Sequence, residues 1–194
     1  STFVSEAPCG TGKTYAYLAP LLYAMYSSYG FPGIASKTGI LVSTAGISLQ
    51  EQIVLRDLPR LLEIMRPLLL HHPKVVLLKG VNNYVCMHKL KVDYHSKRGQ
   101  VRPKLLPILR EIQHAHRSQD LNELPPLEPV EAMLLTTTSE ECKGAECPEK
   151  GICHAMQVKA LAASTSPVVV VTNHHYFAFL DKYVTDDSAT PLNR

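Results

Sequence analysis

Two sets of residues have types and spacings that could do chemistry. The first is EAPCGTGKT, residues 6–14. Its end follows the pattern G-x-x-x-x-G-K-[ST], in which successive main-chain N–H groups wrap phosphates, the lysine reaches the terminal ones and the hydroxyl helps to hold magnesium. Gly10, Gly12, Lys13 and Thr14 fill that end, and Ala7 stands where the first glycine is usual. Alanine suits the place if the backbone there is right-handed or extended, because it lacks glycine's easy access to positive φ. The nucleotide-contacting set is then Ala7, Pro8, Gly10, Thr11, Gly12, Lys13 and Thr14, with Lys13 and Thr14 serving the phosphates and Mg2+ of a bound nucleotide. Cys9 reads as an ordinary variable position of the loop.

The second set is four cysteines. Cys142, Cys147 and Cys153 are spaced C-x4-C-x5-C, and 55 residues separate Cys86 from the first of them. In a cytosolic chain thiols stay reduced, so a clustered set points to metal instead of disulfides. Zinc usually takes paired C-x2-C or C-x4-C knuckles, and one such spacing is present here. All-cysteine ligation with uneven spacing fits an iron–sulfur cluster better, and spacing alone leaves zinc or no metal open. Closing the chain between Cys86 and Cys142 costs about 3–4 kcal/mol beyond a constant. Ligation in small structural sites is worth on the order of 10 kcal/mol and offsets that cost. His154, next to Cys153, is a poor ligand candidate because four thiols already complete a site.

The 194 residues, 45% of them hydrophobic, can bury the core of one large domain, or of one domain and a small insert. No apolar run approaches the roughly 18 residues a membrane helix needs, and no charged-then-apolar leader is present, so a soluble cytoplasmic protein is expected. The formal net charge of +3 hides a polarised middle. Residues 79–117 hold nine Lys or Arg against two acids, and residues 118–153 hold eight acids against two Lys. Within the basic block, KLKVDYHSKRGQVRPK mixes cations with Tyr94 and His95 as single-strand nucleic-acid binders do. The competing reading is a solvated face balanced by the acidic block that follows. Tyr84, beside Cys86, is open to two uses, stacking on a base where strands part or packing beside the cysteines.

The elements that must position these residues alternate at both ends of the chain. TFVSEA reads as the tail of a strand entering the glycine turn, and TYAYLAPLLYAMYSSY as a helix closed by Gly30 and Pro32. GILVST is a short apolar run suited to a buried parallel strand. SLQEQIVLRDLPRLLEIM behind it has helical spacing, with Ser48 as N-cap, Glu51 as its capping-box partner and Pro59 as a point of bending or splitting. KVVLLKG and SPVVVVTNH are further strands, separated by a long detour that holds the cysteines and both charge blocks. Strand and helix in alternation spell a parallel α/β sheet flanked by helices.

Taken together, EAPCGTGKT, LVSTAGISLQEQ, LKGVNNYVC, the cysteine triplet with Pro148 after its second member, and VVVVTNHHYF resemble the bacterial DinG-type helicases, relatives of XPD in superfamily 2. The resemblance covers the whole chain in order, and alanine in place of the first loop glycine is usual in that group. It implies a RecA-like P-loop motor domain formed by residues 1–80 and 154–194, incomplete, with a mostly helical iron–sulfur domain inserted at 81–153. It implies a [4Fe–4S] cluster on Cys86, Cys142, Cys147 and Cys153, and ATP-dependent 5′ to 3′ DNA unwinding in the bacterial nucleoid, with single-stranded or forked DNA as the partner. Thr44 and Ser48 would offer hydroxyls to the nucleic-acid backbone, and Lys79, Tyr84 and Asn173 are further candidates for DNA contact. Asn173 and His174 match the family's Asn-His pair at a strand end, and no proton-transfer role follows for the histidine.

The sequence also departs from the family pattern. Val81 and Met87 stand where many relatives carry a basic residue and a proline. An Asp-Glu-Ala-His box is expected soon after TNHHYFAFLDKY; Asp186 and Asp187 are adjacent acids, but they follow no apolar strand. A fragment of the motor is therefore expected, inactive alone. Two other readings stay open: a metal-stabilised nucleic-acid-binding module without motor activity, and another P-loop NTPase with a zinc-bearing insert.

Overall fold

The structure, a computed structural model, describes residues 6, 8, 11–27, 39–92, 100–114, 117–163 and 168–178. They fall into two compact units, one drawn from Ser1–Leu77 and Ser164–Phe177, the other from Leu78–Ala163 and Ala178–Arg194.

The first unit is α/β. Helix α1 (Lys13–Tyr26) buries Leu18, Leu22 and Tyr26, spaced four apart on a single stripe. Strands β1 (Ile40–Thr44), β2 (Lys74–Leu77) and β3 (Val168–Asn173) form a parallel sheet in the order β1-β3-β2. Val169 pairs with both Ile40 and Val75, so β3 is the middle strand. That explains its unbroken run of four valines, since a strand covered on both faces has no polar side to alternate. The Tyr26 hydroxyl donates to the Val168 carbonyl at 3.1 Å and fastens the end of α1 to the start of this strand. Of the expected first strand, residues 2–7, only Glu6 is among the described residues, and it is not in a strand; α1 ends at Tyr26 with Ser27 extended, short of the expected close at Gly30 and Pro32, which lie outside the described residues.

The segment after β1 departs from expectation at its start. Helix α2 (Ile47–Gln52) has Gly46, not Ser48, as its N-cap, and no side chain caps it. Thr44 Oγ1 donates to the Gly46 carbonyl at 3.1 Å, tightening the turn so that the helix begins before Ser48 and leaves that residue exposed in its first turn. The S-x-x-E pattern was real in sequence but out of phase with the helix. Downstream, the helix widens into a π turn over Ile53–Asp57 before α3 (Leu58–Met65). Pro59 has no N–H to donate, so the α ladder cannot run through it unbroken, and the helix splits just ahead of it.

The second unit is mostly helical. Helices α4 (Met87–Val92), α5 (Leu106–Gln113) and α6 (Pro129–Leu135) enclose a core that includes Val85, Leu90, Leu105, Leu109, Ile112 and Leu135. Helix α7 (His154–Ala162) starts immediately after Cys153, which is its N-cap.

Candidate metal centre and phosphate loop

All four cysteines come to one cavity of about 80 Å3 in the second unit, and each is half-buried and unbridged. Four local turns bring them there. Cys86 follows a 3₁₀ turn at Val81–Asn83, and its N–H donates to the Leu135 carbonyl at the end of α6, 2.7 Å away. Cys142 follows a turn in which its N–H donates to the Thr138 carbonyl at 3.1 Å. Cys147 closes a 3₁₀ turn over Gly144–Glu146 that opens on a left-handed Gly144, φ 54°. Cys153 ends a run of turns and caps α7. Burial pushes the Cys153 thiol up, opposed by main-chain N–H groups of Met156 and Ala155 and reinforced by Cys142 and Cys86 nearby. Among the described residues no group of three or more His, Cys, Asp or Glu side chains is arranged to hold a single metal ion.

The two opposite charge blocks fold against each other within this unit. Lys79 Nζ reaches Asp120 Oδ2 at 2.7 Å, Lys89 reaches Glu141 at 3.1 Å, and Lys91 reaches Glu149 at 2.6 Å. Arg102 forks onto Glu131, with Nη2 to Oε2 at 2.7 Å and Nε to Oε1 at 2.9 Å. Glu131 also accepts the main-chain N–H groups of Arg102 and Glu128, and with Arg102 beside it the carboxyl is held down at about 2. Among the described residues, the basic block thus spends several of its cations on the acids that follow it. Residues 93–99 of the block lie outside the described residues.

Of the residues singled out for DNA contact, Lys79 is buried in its ion pair and Tyr84 is buried in a stack on His154, ring centres 5.3 Å apart. Val81 and Met87, where relatives differ, are buried as well and pack as core. In the first unit, Thr44 is buried and its hydroxyl faces the Gly46 and Thr172 carbonyls. Asn173 Oδ1 accepts the Tyr176 N–H at 2.7 Å, in the turn that leaves β3. Ser43 Oγ and His174 Nδ1 share a hydrogen bond of 2.7 Å at the C-terminal ends of β1 and β3. Only Ser48, of the five, is exposed.

The phosphate-loop motif leads directly into α1. Gly12 is its N-cap, left-handed at φ 76°, and a Cβ there would meet no atom within 4 Å. The demand for glycine is therefore conformational, not steric. Thr11 Oγ1 donates to the Pro8 carbonyl at 2.8 Å, which tightens the turn, and the first turn of α1 carries no acidic residue to oppose an anion. Lys13 is exposed and Thr14 half-buried. Ala7, Cys9 and Gly10 lie outside the described residues.

No protein-family profile matches the chain. Individual relatives do. An ATP-dependent DNA helicase YoaA from Haemophilus influenzae is 33% identical over 192 residues, covering 96% of this chain and 27% of its own length. The Escherichia coli protein of the same name is 34% identical over 90% of this chain. An ATP-dependent helicase DinG from Mycobacterium tuberculosis is 32% identical over 98% of this chain and 30% of its own length. Over most of its length this chain is similar to one segment of the DinG-type helicases.

The chain spans between a quarter and a third of the length of these relatives. Its small three-stranded parallel sheet with flanking helices is compatible with part of a RecA-like domain. Among the described residues no helix is long and apolar enough to cross a membrane. Sequence reasoning missed Gln119, Glu131 and His154 as organisers of the second unit. Gln119 and His154 had no motif to mark them, and Glu131 was visible only as one acid in a charged block.

Proposed function

We propose that this chain is the part of an ATP-dependent DNA helicase that holds nucleotide in its first unit and a [4Fe–4S] cluster in its second. The observation that carries the reading is the convergence of Cys86, Cys142, Cys147 and Cys153, from segments far apart in sequence, on one cavity. Its volume of about 80 Å3 leaves room for several water-sized bodies, more than a single ion needs. The donor set is all sulfur, which suits iron–sulfur chemistry. Once bound, the cluster would cross-link the chain segments that carry its ligands. The domain boundaries proposed from the sequence are residues 1–80 and 154–194 for the motor part and 81–153 for the insert, whereas the second compact unit runs from Leu78 to Ala163 and takes in α7.

Residues 7–14 would cradle the phosphates, with Lys13 reaching the terminal ones and Thr14 contributing its hydroxyl to Mg2+. Hydrolysis further requires an acid that orients water and a cation for the developing charge. The partner proposed is single-stranded or forked DNA, and the activity is 5′ to 3′ unwinding of the duplex part of such DNA in the bacterial nucleoid. For the DNA backbone we retain Ser48, whose exposed hydroxyl sits at the start of α2. Lys79, Tyr84 and Thr44 are better explained by their packing and pairing.

The test is DNA-stimulated ATP hydrolysis and forked-duplex unwinding by the full-length protein. Lys13→Ala should lower hydrolysis by about 100-fold or more, with the visible spectrum unchanged. Retained hydrolysis would remove the loop from the mechanism.

A further inference from the structure

Gln119 lies 33 residues upstream of Ile152 and belongs to no cysteine motif, yet it is buried, 6% exposed, among the cysteine-bearing segments. Its Nε2 donates to the Ile152 carbonyl at 2.6 Å, and its Oε1 accepts the His154 N–H at 2.8 Å. Those two groups flank Cys153 on either side. The main chain of Gln119 faces the other way, its carbonyl accepting the Val85 N–H at 2.8 Å, one residue before Cys86. The next residue extends the contact, because Asp120 forms an antiparallel bridge with Tyr84. Tyr84 in turn stacks on His154, closing the ring of contacts back to the Cys153 side.

A primary amide is well matched to this position. It offers one donor and one acceptor, and the two groups it meets are one carbonyl and one N–H. Glutamate would lose the donor and set a carboxylate against the Ile152 carbonyl. Asparagine would fall one methylene short.

We propose that Gln119 is a positioning residue for the cysteine cavity, a clamp that fixes the Cys86 segment and the Cys153 turn relative to each other before and after metal enters. This rests on the cavity being a cluster site, while the clamp itself is a property of the chain. Residues that orient metal ligands from behind typically change metal affinity by about 10–100-fold when removed.

The experiment uses the full-length protein purified without oxygen, as wild type, Gln119→Ala and Gln119→Glu. Two readouts are taken: loss of visible absorbance to an iron chelator, and amide hydrogen exchange at His154. Gln119→Ala should lose iron about 10-fold faster and expose the His154 N–H to exchange. Gln119→Glu, which keeps the acceptor for that N–H, should retain protection at His154 while losing iron faster than wild type. Should Gln119→Ala not fold, the glutamate variant decides alone. His154 exchange unchanged in the alanine variant, or iron loss unchanged in the glutamate variant, overturns the clamp. A wild-type protein without iron overturns the cluster reading instead, and the exchange measurement still decides the clamp.

Discussion

The two units of this chain are held together by different physics. In the first, Val169 and Val171 at 0% exposure meet Leu18, Leu22 and Ile53 in a continuous apolar core, and the register of the sheet follows from burying both faces of β3. In the second, an apolar core between α4, α5 and α6 is supplemented by a ring of ion pairs and by a cavity walled with thiols. A sheet core of this kind needs nothing from solution. A unit with a thiol-lined cavity and paired charge blocks should respond to metal, pH and salt, and the contrast can be broken or sharpened at single residues.

Apart from the cysteine cavity, the largest effect is expected in the sheet unit. Leu22→Ala should cost about 3 kcal/mol, read from chemical denaturation, and should be indifferent to salt. In the helical unit, Glu131→Gln should cost about 2 kcal/mol at neutral pH, since it removes the charged partner of the Arg102 fork. Glu131 is depressed to about 2 from an ordinary 4.5, so its stabilising contribution is complete above about 4.5 and is lost as pH falls through about 2. The difference between wild type and Glu131→Gln should shrink across that window. A difference independent of pH would mean that packing, not charge, holds the residue. Lys91→Ala removes a pair with one partner half-exposed, and should cost about 0.5 kcal/mol, less in high salt.

These regions also differed in how far sequence alone could read them. The apolar runs GILVST, KVVLLKG and SPVVVVTNH each contain an observed strand, because a buried parallel strand advertises itself by composition. Gly12 proved to be left-handed, a conformation that its place before a helix made plausible. The N-cap at Ser48 failed because helix phase was set by a turn that Thr44 tightens, a tertiary choice no local pattern encodes. The charge blocks were visible as blocks, but their mutual pairing, Arg102 with Glu131 and Lys79 with Asp120, joins residues 29 and 41 apart in sequence that only the tertiary fold brings together. It turned a candidate nucleic-acid groove partly into an internal device. Four cysteines could be counted from sequence, whereas their arrival at one cavity, and the role of Gln119 beside them, required coordinates.

The most direct test of the account is the metal content and visible spectrum of the full-length protein prepared without oxygen. A brown protein with about four iron atoms per chain, lost on Cys142→Ser, is the predicted result. A colourless protein carrying a single zinc ion, or one whose iron survives removal of that thiol, would contradict it.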